Sequence, residues 1–292
     1  MSFSKKLKNE LCSKKTPPCC RKSELYGMLL FARSFSRDKI SLLTDNECVA
    51  QNFSFLLKKN FGVITKNSIS TMYKAEITDK TDIQKIFDDL NITQDNLINE
   101  DIIKKDCCVI SFIRGAFLSG GNITDPEKEY RAEFRIRNTE IACFLYRLLY
   151  ELNLEPKLTR RNDSDVVYLK KSENIEDLVT VLGASSMTLK LIDVKILKGV
   201  RNNINRKNNL EDANTSKTID ASIRQRNAVK LLIEKDKFNI LPPELQEVAL
   251  LRNANPEATL GELCKLSSVS LTRSGLNHRL NRIIEIAEKY KE

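Results

Sequence analysis

The chain has 292 residues, a formal charge of +9, 41% hydrophobic residues and no tryptophan, a length that suits about two domains at the usual ~100–200 residues each. No segment reaches the ~20 apolar residues of a membrane-spanning helix. The start carries Lys5, Lys6, Lys8, Lys14 and Lys15 without an apolar run, unlike a secretory signal, so a cytoplasmic protein is expected. Charge is unevenly spread: residues 1–40 hold 10 Lys+Arg against 3 Asp+Glu, residues 41–190 hold 20 against 23, and residues 191–292 hold 18 against 13. Basic ends around an ordinary middle suit a polyanion, most simply nucleic acid, whose phosphates release counterions when neutralised. An anionic membrane surface is the competing partner.

The first 190 residues predict a duplicated α+β unit, with repeats at about 20–92 and 105–185. Lys22 to Arg33 and Val109 to Gly121 read as apolar helices with Gly27 and Gly115 inside them, 88 residues apart. A mid-helix glycine costs roughly 1 kcal/mol relative to alanine, so its presence in both predicts close backbone contact between the two helices. After the first come a strand (39–43), a helix (47–61), a strand (70–77) and a helix (82–90). After the second come a strand (130–137), a helix (140–152), two strands (156–160 and 165–170) and a helix (175–182). The matching order argues for one duplicated fold with a shared central helix pair. In the strand 130–137, alternation places Arg131, Glu133, Arg135 and Arg137 on one face, where three arginines could track phosphates.

Residues 195–226 have six asparagines between 202 and 214. The segment is taken as a polar Asn-rich linker or helix: composition alone says linker, although Val200, Ile204, Ala213, Ile219, Ala221 and Ile223 punctuate it. Arg201, Arg206, Lys217 and Arg224, with Arg226, are candidates for secondary phosphate contacts. A helix over 227–240 leads into the last part, 227–292.

That last part reads as three short helices. Pro242 and Pro243 suit a helix start, with Leu245, Val248, Ala249 and Arg252 following at helical spacing until Asn255-Pro256 stops it. Thr259 with Glu262 is a capping-box pattern ahead of Leu260, Leu263 and Leu266. In the final helix Leu276, Leu280, Ile283, Ile284 and Ala287 make an apolar face, and Thr272, Arg273, Ser274, Asn277, His278, Arg279 and Arg282 lie opposite, near its start. Arginine, asparagine and hydroxyl side chains there are the types that bind phosphates and base edges, so a helix-turn-helix reader of double-stranded DNA is expected. An ordinary three-helix cap with a solvated basic face is the bland alternative.

Eight cysteines occur as two adjacent pairs, Cys19-Cys20 and Cys107-Cys108, and four scattered residues, Cys12, Cys48, Cys143 and Cys264. None makes a Cys-x-x-Cys knuckle and His278 is the single histidine, so no metal site and no cofactor is expected, and the thiols are read as reduced and mostly buried.

The helices Ser23-Glu-Leu-Tyr-Gly-Met-Leu-Leu-Phe-Ala and Ile113-Arg-Gly-Ala-Phe-Leu-Ser-Gly-Gly resemble the signature helices of LAGLIDADG homing endonucleases. Together with Leu-Arg-x-x-Asn-Pro-Glu-Ala-x-Leu-x-Glu-Leu (251–263) and Ser-Gly-x-Asn-His-Arg-Leu (274–280), the chain resembles the WhiA family of bacterial sporulation and cell-division regulators. That resemblance implies a degenerate LAGLIDADG-like domain over 1–194 joined to a helix-turn-helix domain, and a nucleoid-associated, sequence-specific DNA-binding regulator involved in sporulation and/or cell division and chromosome segregation. It also places Ala32 and Gly120 where the endonucleases carry their catalytic acids, so no nuclease activity and no catalytic residue is expected. Asp38 and Asp125 lie beyond the helix ends and read as turn residues. The alternative role is an adaptor whose basic surfaces meet RNA polymerase or another regulator or division protein.

Overall fold

The computed structural model describes residues 1–291 and separates into two units, Met1–Gly199 and a second that begins at Val200. Glu292, the end of the expected last domain, lies outside the described residues.

The first unit opens with α1 (Phe3–Cys12) and then runs twice through one pattern. The first pass is α2 (Pro18–Leu30), β1 (Ser34–Phe35), β2 (Ile40–Thr44), α3 (Glu47–Phe61), β3 (Lys66–Ile69), β4 (Tyr73–Ile77) and α4 (Lys80–Asp89). The second is α5 (Asp106–Gly120), β5 (Gly121–Ile123), β6 (Ala132–Ile136), α6 (Thr139–Glu151), β7 (Lys157–Arg161), β8 (Ser164–Leu169) and α7 (Ser172–Leu182). Each pass builds an antiparallel sheet of the same topology, β1-β2-β4-β3 and β5-β6-β8-β7. The duplicated α+β reading therefore holds, and the fold is more regular than the sequence pattern indicated.

The two passes share one core, in which the helix pair α2 and α5 is central. A Cβ built on Gly27 would stand 2.1 Å from the Phe112 carbonyl oxygen, and one on Gly115 would stand 1.9 Å from that of Glu24. Only glycine lets the backbones approach this closely. Tyr26, Met28, Leu29, Phe112, Ile113 and Phe117 fill the space around the crossing. Local signals close the other helices: Asn46 and Asn138 cap α3 and α6 through their side chains, and Gly62 and Gly183 end α3 and α7 with φ of 70° and 93°.

One α-helix and three strands went unforeseen, besides a 3-10 turn at Glu100–Ile103. α1 buries Leu7 and Leu11 beneath its lysines, and its Glu10 carboxylate accepts from the backbone nitrogens of Ser186 and Met187. β1, β3 and β5 are edge strands of two to four residues, and β3 is exposed along its whole length, so none shows the alternation of a half-buried strand.

The second larger difference is α8, a single helix from Ser185 to Glu234. The Asn-rich run is helical throughout, and residues 199–217 on it are exposed. The helix expected over 227–240 is the end of α8, followed by a 3-10 turn at Phe238–Ile240. The thiols are also less buried than expected: Cys20 and Cys108 are buried, whereas Cys19, Cys107 and Cys143 are exposed. No helix among the described residues is long and apolar enough to cross a membrane.

Candidate nucleic-acid interface

The end of α8 and three further helices, α9 (Pro243–Ala254), α10 (Leu260–Leu266) and α11 (Arg273–Glu288), enclose a small core of Val229, Leu232, Leu241, Val248, Leu263, Leu276, Leu280 and Ile283. The stop after α9 is built by Arg252, which periodicity assigned to the apolar face. It is buried, and its Nη1 donates to the carbonyls of Asn255 (3.2 Å) and Ala258 (2.8 Å), so one guanidinium ties down the turn. Burial lowers the pKa of that guanidinium. Ser222 on α8 donates to the Pro256 carbonyl at the same turn.

The expected capping box is present. The Thr259 backbone nitrogen donates to Glu262 Oε2 at 2.7 Å, and the Glu262 nitrogen donates to Thr259 Oγ1 at 3.3 Å. The Thr259 backbone nitrogen and, at 2.9 Å, its hydroxyl both donate to Glu262 Oε2 and hold that carboxylate below its usual range. α11 is capped by Thr272, whose Oγ1 accepts from the Gly275 nitrogen at 3.1 Å.

The structure places the sequence-predicted residues as follows. Arg273, Ser274, Asn277, His278 and Arg282 are exposed on α11, and Arg279 is half-buried. Thr272 serves as the N-cap, so its oxygen already has one bond. Arg282 Nη1 pairs with Glu285 at 3.1 Å, both well exposed, a contact too weak to withhold the arginine from another anion. A groove of about 510 Å³ brings Arg273 and Asn277 together with Lys217 of α8, alongside Thr259, Gly261 and Gln225. Arg201, Arg206 and Arg224 are exposed on α8 and do not line it. Gly261 is a residue that sequence reasoning missed: a Cβ there would meet the Arg273 guanidinium at 3.0 Å, so the glycine gives that side chain its seat. A glycine one residue into α10, ahead of an arginine twelve positions on, carries no sequence signal that would single it out.

The first unit has a different kind of site. Ala32 and Gly120, at the ends of α2 and α5, line a cavity of about 740 Å³. Its wall includes Arg33, Arg135, Arg137, Gln94, Ser119 and Asn138, and no aspartate or glutamate among the described residues. A Cβ on Gly120 would come within 2.8 Å of the Arg135 carbonyl oxygen, so backbone already occupies the space a carboxylate would need. Asp38 sits in the turn closed by Ser36 and Lys39, and Asp125 Oδ1 accepts from the Glu127 nitrogen at 3.0 Å.

The arginine face of β6 is largely self-neutralised. Glu133 is buried between Arg131 (3.0 Å) and Arg135 (3.4 Å), and the Arg131 guanidinium lies 4.6 Å over the Tyr168 ring.

Comparisons with known proteins agree with this architecture. Residues 204–287 match the family described as the WhiA C-terminal HTH domain, and residues 109–201 match the WhiA LAGLIDADG-like domain. The chain is 36% identical to the "Probable cell division protein WhiA" of Ruminiclostridium cellulolyticum, covering 100% of this chain and 99% of that protein. It is likewise 36% identical to the protein of the same name from Bacillus licheniformis, covering 100% and 98%. In fold it is similar to the crystal structure of full-length WhiA from Thermatoga maritima, with a TM-score of 0.61, 23% identity and full coverage of both chains. It is also similar to the isolated N-terminal LAGLIDADG domain of WhiA, with a TM-score of 0.51 and 18% identity over 62% of this chain and 92% of that one. A helix pair closed on two glycines, a sheet repeated in the same order and a helix-turn-helix end thus coincide with full-length relatives, and the chain belongs to the WhiA family.

Proposed function

We propose that this chain is a sequence-specific reader of double-stranded DNA that regulates cell division or sporulation and does not cut its target. The observation that carries this reading is the start of α11, where Arg273, Ser274, Asn277 and His278 are exposed within two turns while Leu276, Leu280 and Ile283 fix the helix to its core. In the major groove, Asn277 and Arg279 would meet base edges, and Arg273, Arg282 and Lys217 would meet phosphates. Arg201, Arg206 and Arg224 would add weaker contacts to the flanking backbone. The relatives named as cell-division proteins supply the process, and cytoplasm at the nucleoid is the location the reading requires.

Cleavage in the endonuclease fold needs a carboxylate from each central helix to hold metal ions at the scissile phosphates. Alanine and glycine provide no such oxygen, and a cavity lined by arginines does not supply one. Incubation with plasmid and Mg²⁺ or Mn²⁺ is expected to leave the DNA intact, whereas nicking abolished by Asp125→Ala would refute this.

The division of labour on α11 is tested by binding to a selected duplex and a random one across a salt series. Arg279→Ala should weaken the selected duplex by about 1–3 kcal/mol and relax its specificity, whereas Arg282→Ala should weaken both equally and lower the salt slope by about one. Equal losses on both duplexes for both variants would overturn the assignment. Binding that is insensitive to salt and to duplex sequence would favour a protein partner instead.

A further inference from the structure

The N-terminal ends of α2 and α5 bring all four paired cysteines together. Cys19 and Cys20 lie in the first turn of α2, Cys107 and Cys108 in the first turn of α5, and their four sulfurs lie within 4.8 Å of one another. The offset between the pairs is 88 residues, the same as that between Gly27 and Gly115, so the internal duplication places one pair opposite the other. Cys19 and Cys20 Sγ are 3.7 Å apart, and Cys107 and Cys108 Sγ 4.0 Å apart. Four thiolates around one zinc ion at the usual ~2.3 Å sit at tetrahedral corners about 3.8 Å apart. We propose that this cluster is a tetrahedral Cys₄ zinc site that staples the two repeats together at the ends of their central helices remote from Ala32 and Gly120.

The surroundings fit a metal-thiolate centre. One Zn²⁺ binding there displaces four thiol protons and leaves a complex of charge −2. The N-termini of two long helices, with their partial positive charge, converge on that charge. Lys22, Lys104 and Lys105 line the cavity of about 450 Å³ beside Cys19 and Cys108, although Lys22 and Lys104 also pair with Asp89 and Asp101.

A ring of supporting groups repeats with the same offset. Ser23 and Ser111, also 88 residues apart, donate their hydroxyls to backbone carbonyls beside the cluster, Ser23 to that of Ile102 and Ser111 to that of Cys107, each at 2.8 Å, and so fix the helix starts that carry the sulfurs. Separations within 4.8 Å admit one ion, not a multi-iron cluster whose sulfur ligands sit on different irons. None of the cysteines is in a disulfide. The pattern escaped the sequence reading because ligands arrive as adjacent pairs from two helices, without a Cys-x-x-Cys knuckle.

The test is elemental analysis of the full chain purified with a phosphine reductant and no chelator, followed by cobalt replacement. About one zinc per chain is expected. Co²⁺ titration should give a sulfur-to-cobalt charge-transfer band and the intense visible bands of tetrahedral cobalt, saturating at one equivalent. Cys143→Ser and Cys264→Ser should keep both signals, and the double variant Cys19→Ser with Cys107→Ser should lose them. Should that variant fail to fold, thiol labelling of the unaltered chain decides: four thiols should be protected until a chelator is added. Removing the metal should also lower the unfolding midpoint of the first unit by roughly 10 °C, the shift for a ligand held near a thousand times its Kd on a domain of this size. Less than a tenth of an equivalent of zinc after reconstitution would overturn the proposal, as would iron in its place. Disulfides linking the two pairs in protein kept under reductant would do the same.

Discussion

Gly115→Ala tests whether the helix pair is closed to the limit that glycine permits. The added methyl would begin 1.9 Å from the Glu24 carbonyl oxygen, 2.8 Å from its carbon and 2.9 Å from the Met28 nitrogen. All three are backbone atoms, so no rotamer change relieves the clash. Reaching an ordinary contact of 3.4 Å requires α2 and α5 to part by about 1.5 Å at the crossing. A radial gap of 0.5–1 Å already forfeits roughly a quarter to a half of the dispersion well between facing atoms. Here the atoms facing each other belong to Tyr26, Met28, Leu29, Phe112, Ile113 and Phe117. Overpacking of this kind costs about 1–3 kcal/mol, and alanine returns roughly 1 kcal/mol in helix propensity. With the lost facing contacts added, the net loss should be about 2–4 kcal/mol. Urea unfolding followed by tyrosine fluorescence measures it, because six of the seven tyrosines, all but Tyr290, lie in the first unit and no tryptophan masks them. The control is Gly199→Ala on α8, where a Cβ would meet nothing within 4 Å, so no loss is expected. The reasoning fails if Gly115→Ala is as stable as the parent, or if both substitutions shift the midpoint in the same direction.

Arg252→Ala removes a buried guanidinium that serves two carbonyls, and should destabilise the second unit by about 2–4 kcal/mol through the cavity and the unmet acceptors. Hydrogen exchange of residues 243–288 should accelerate while the first unit is unchanged. Thr259→Ala breaks the capping box and should cost about 1 kcal/mol, read as a lower thermal midpoint of the second unit with no change in the fluorescence transition of the first. At alkaline pH, burial pushes Cys12 up from 9.0 to about 12. The folded thiol therefore keeps its proton after the unfolded one has lost it, and its contribution to stability is present below pH 9 and lost between 9 and 12. The stability difference between the parent and Cys12→Ala should stay constant to pH 9 and change above it, in the direction of the parent losing more. A difference that is flat to pH 11 would contradict the assignment.

How much of this was legible in the sequence depended on whether the signal was local. The boundaries of α3, the capping box at Thr259 and Glu262 and the apolar face of α11 rest on spacing within a few residues, and they stand where spacing puts them. α8 was harder, because its asparagines favour turns in isolation and residues 199–217 are exposed and bury no apolar stripe that would mark a helix, so composition left linker and helix both open. Edge strands such as β3 take their form from hydrogen bonds to β4 and bury nothing of their own, and no alternation marks them. Arg252 was placed on the correct face by periodicity, but its task of satisfying two carbonyls belongs to the turn that follows and is visible only in three dimensions.

The duplication joins the parts that the sequence revealed to the parts it concealed. Because α2 and α5 are related by a constant offset, a residue that matters at their crossing should recur 88 positions later, as Gly27 does at Gly115. Applied to the positions beyond the crossing, the same offset maps Cys19, Cys20 and Ser23 onto Cys107, Cys108 and Ser111. Reading cysteines only for knuckles within one segment misses ligands supplied by two symmetry-related segments, each incomplete alone. At the opposite ends of the same helices, Ala32 and Gly120 offer no acids. With the proposed zinc bound, the symmetry of this helix pair would hold its own two halves together through four thiols at one end, while the cavity at the other end, beside Ala32 and Gly120, is lined by no carboxylate among the described residues.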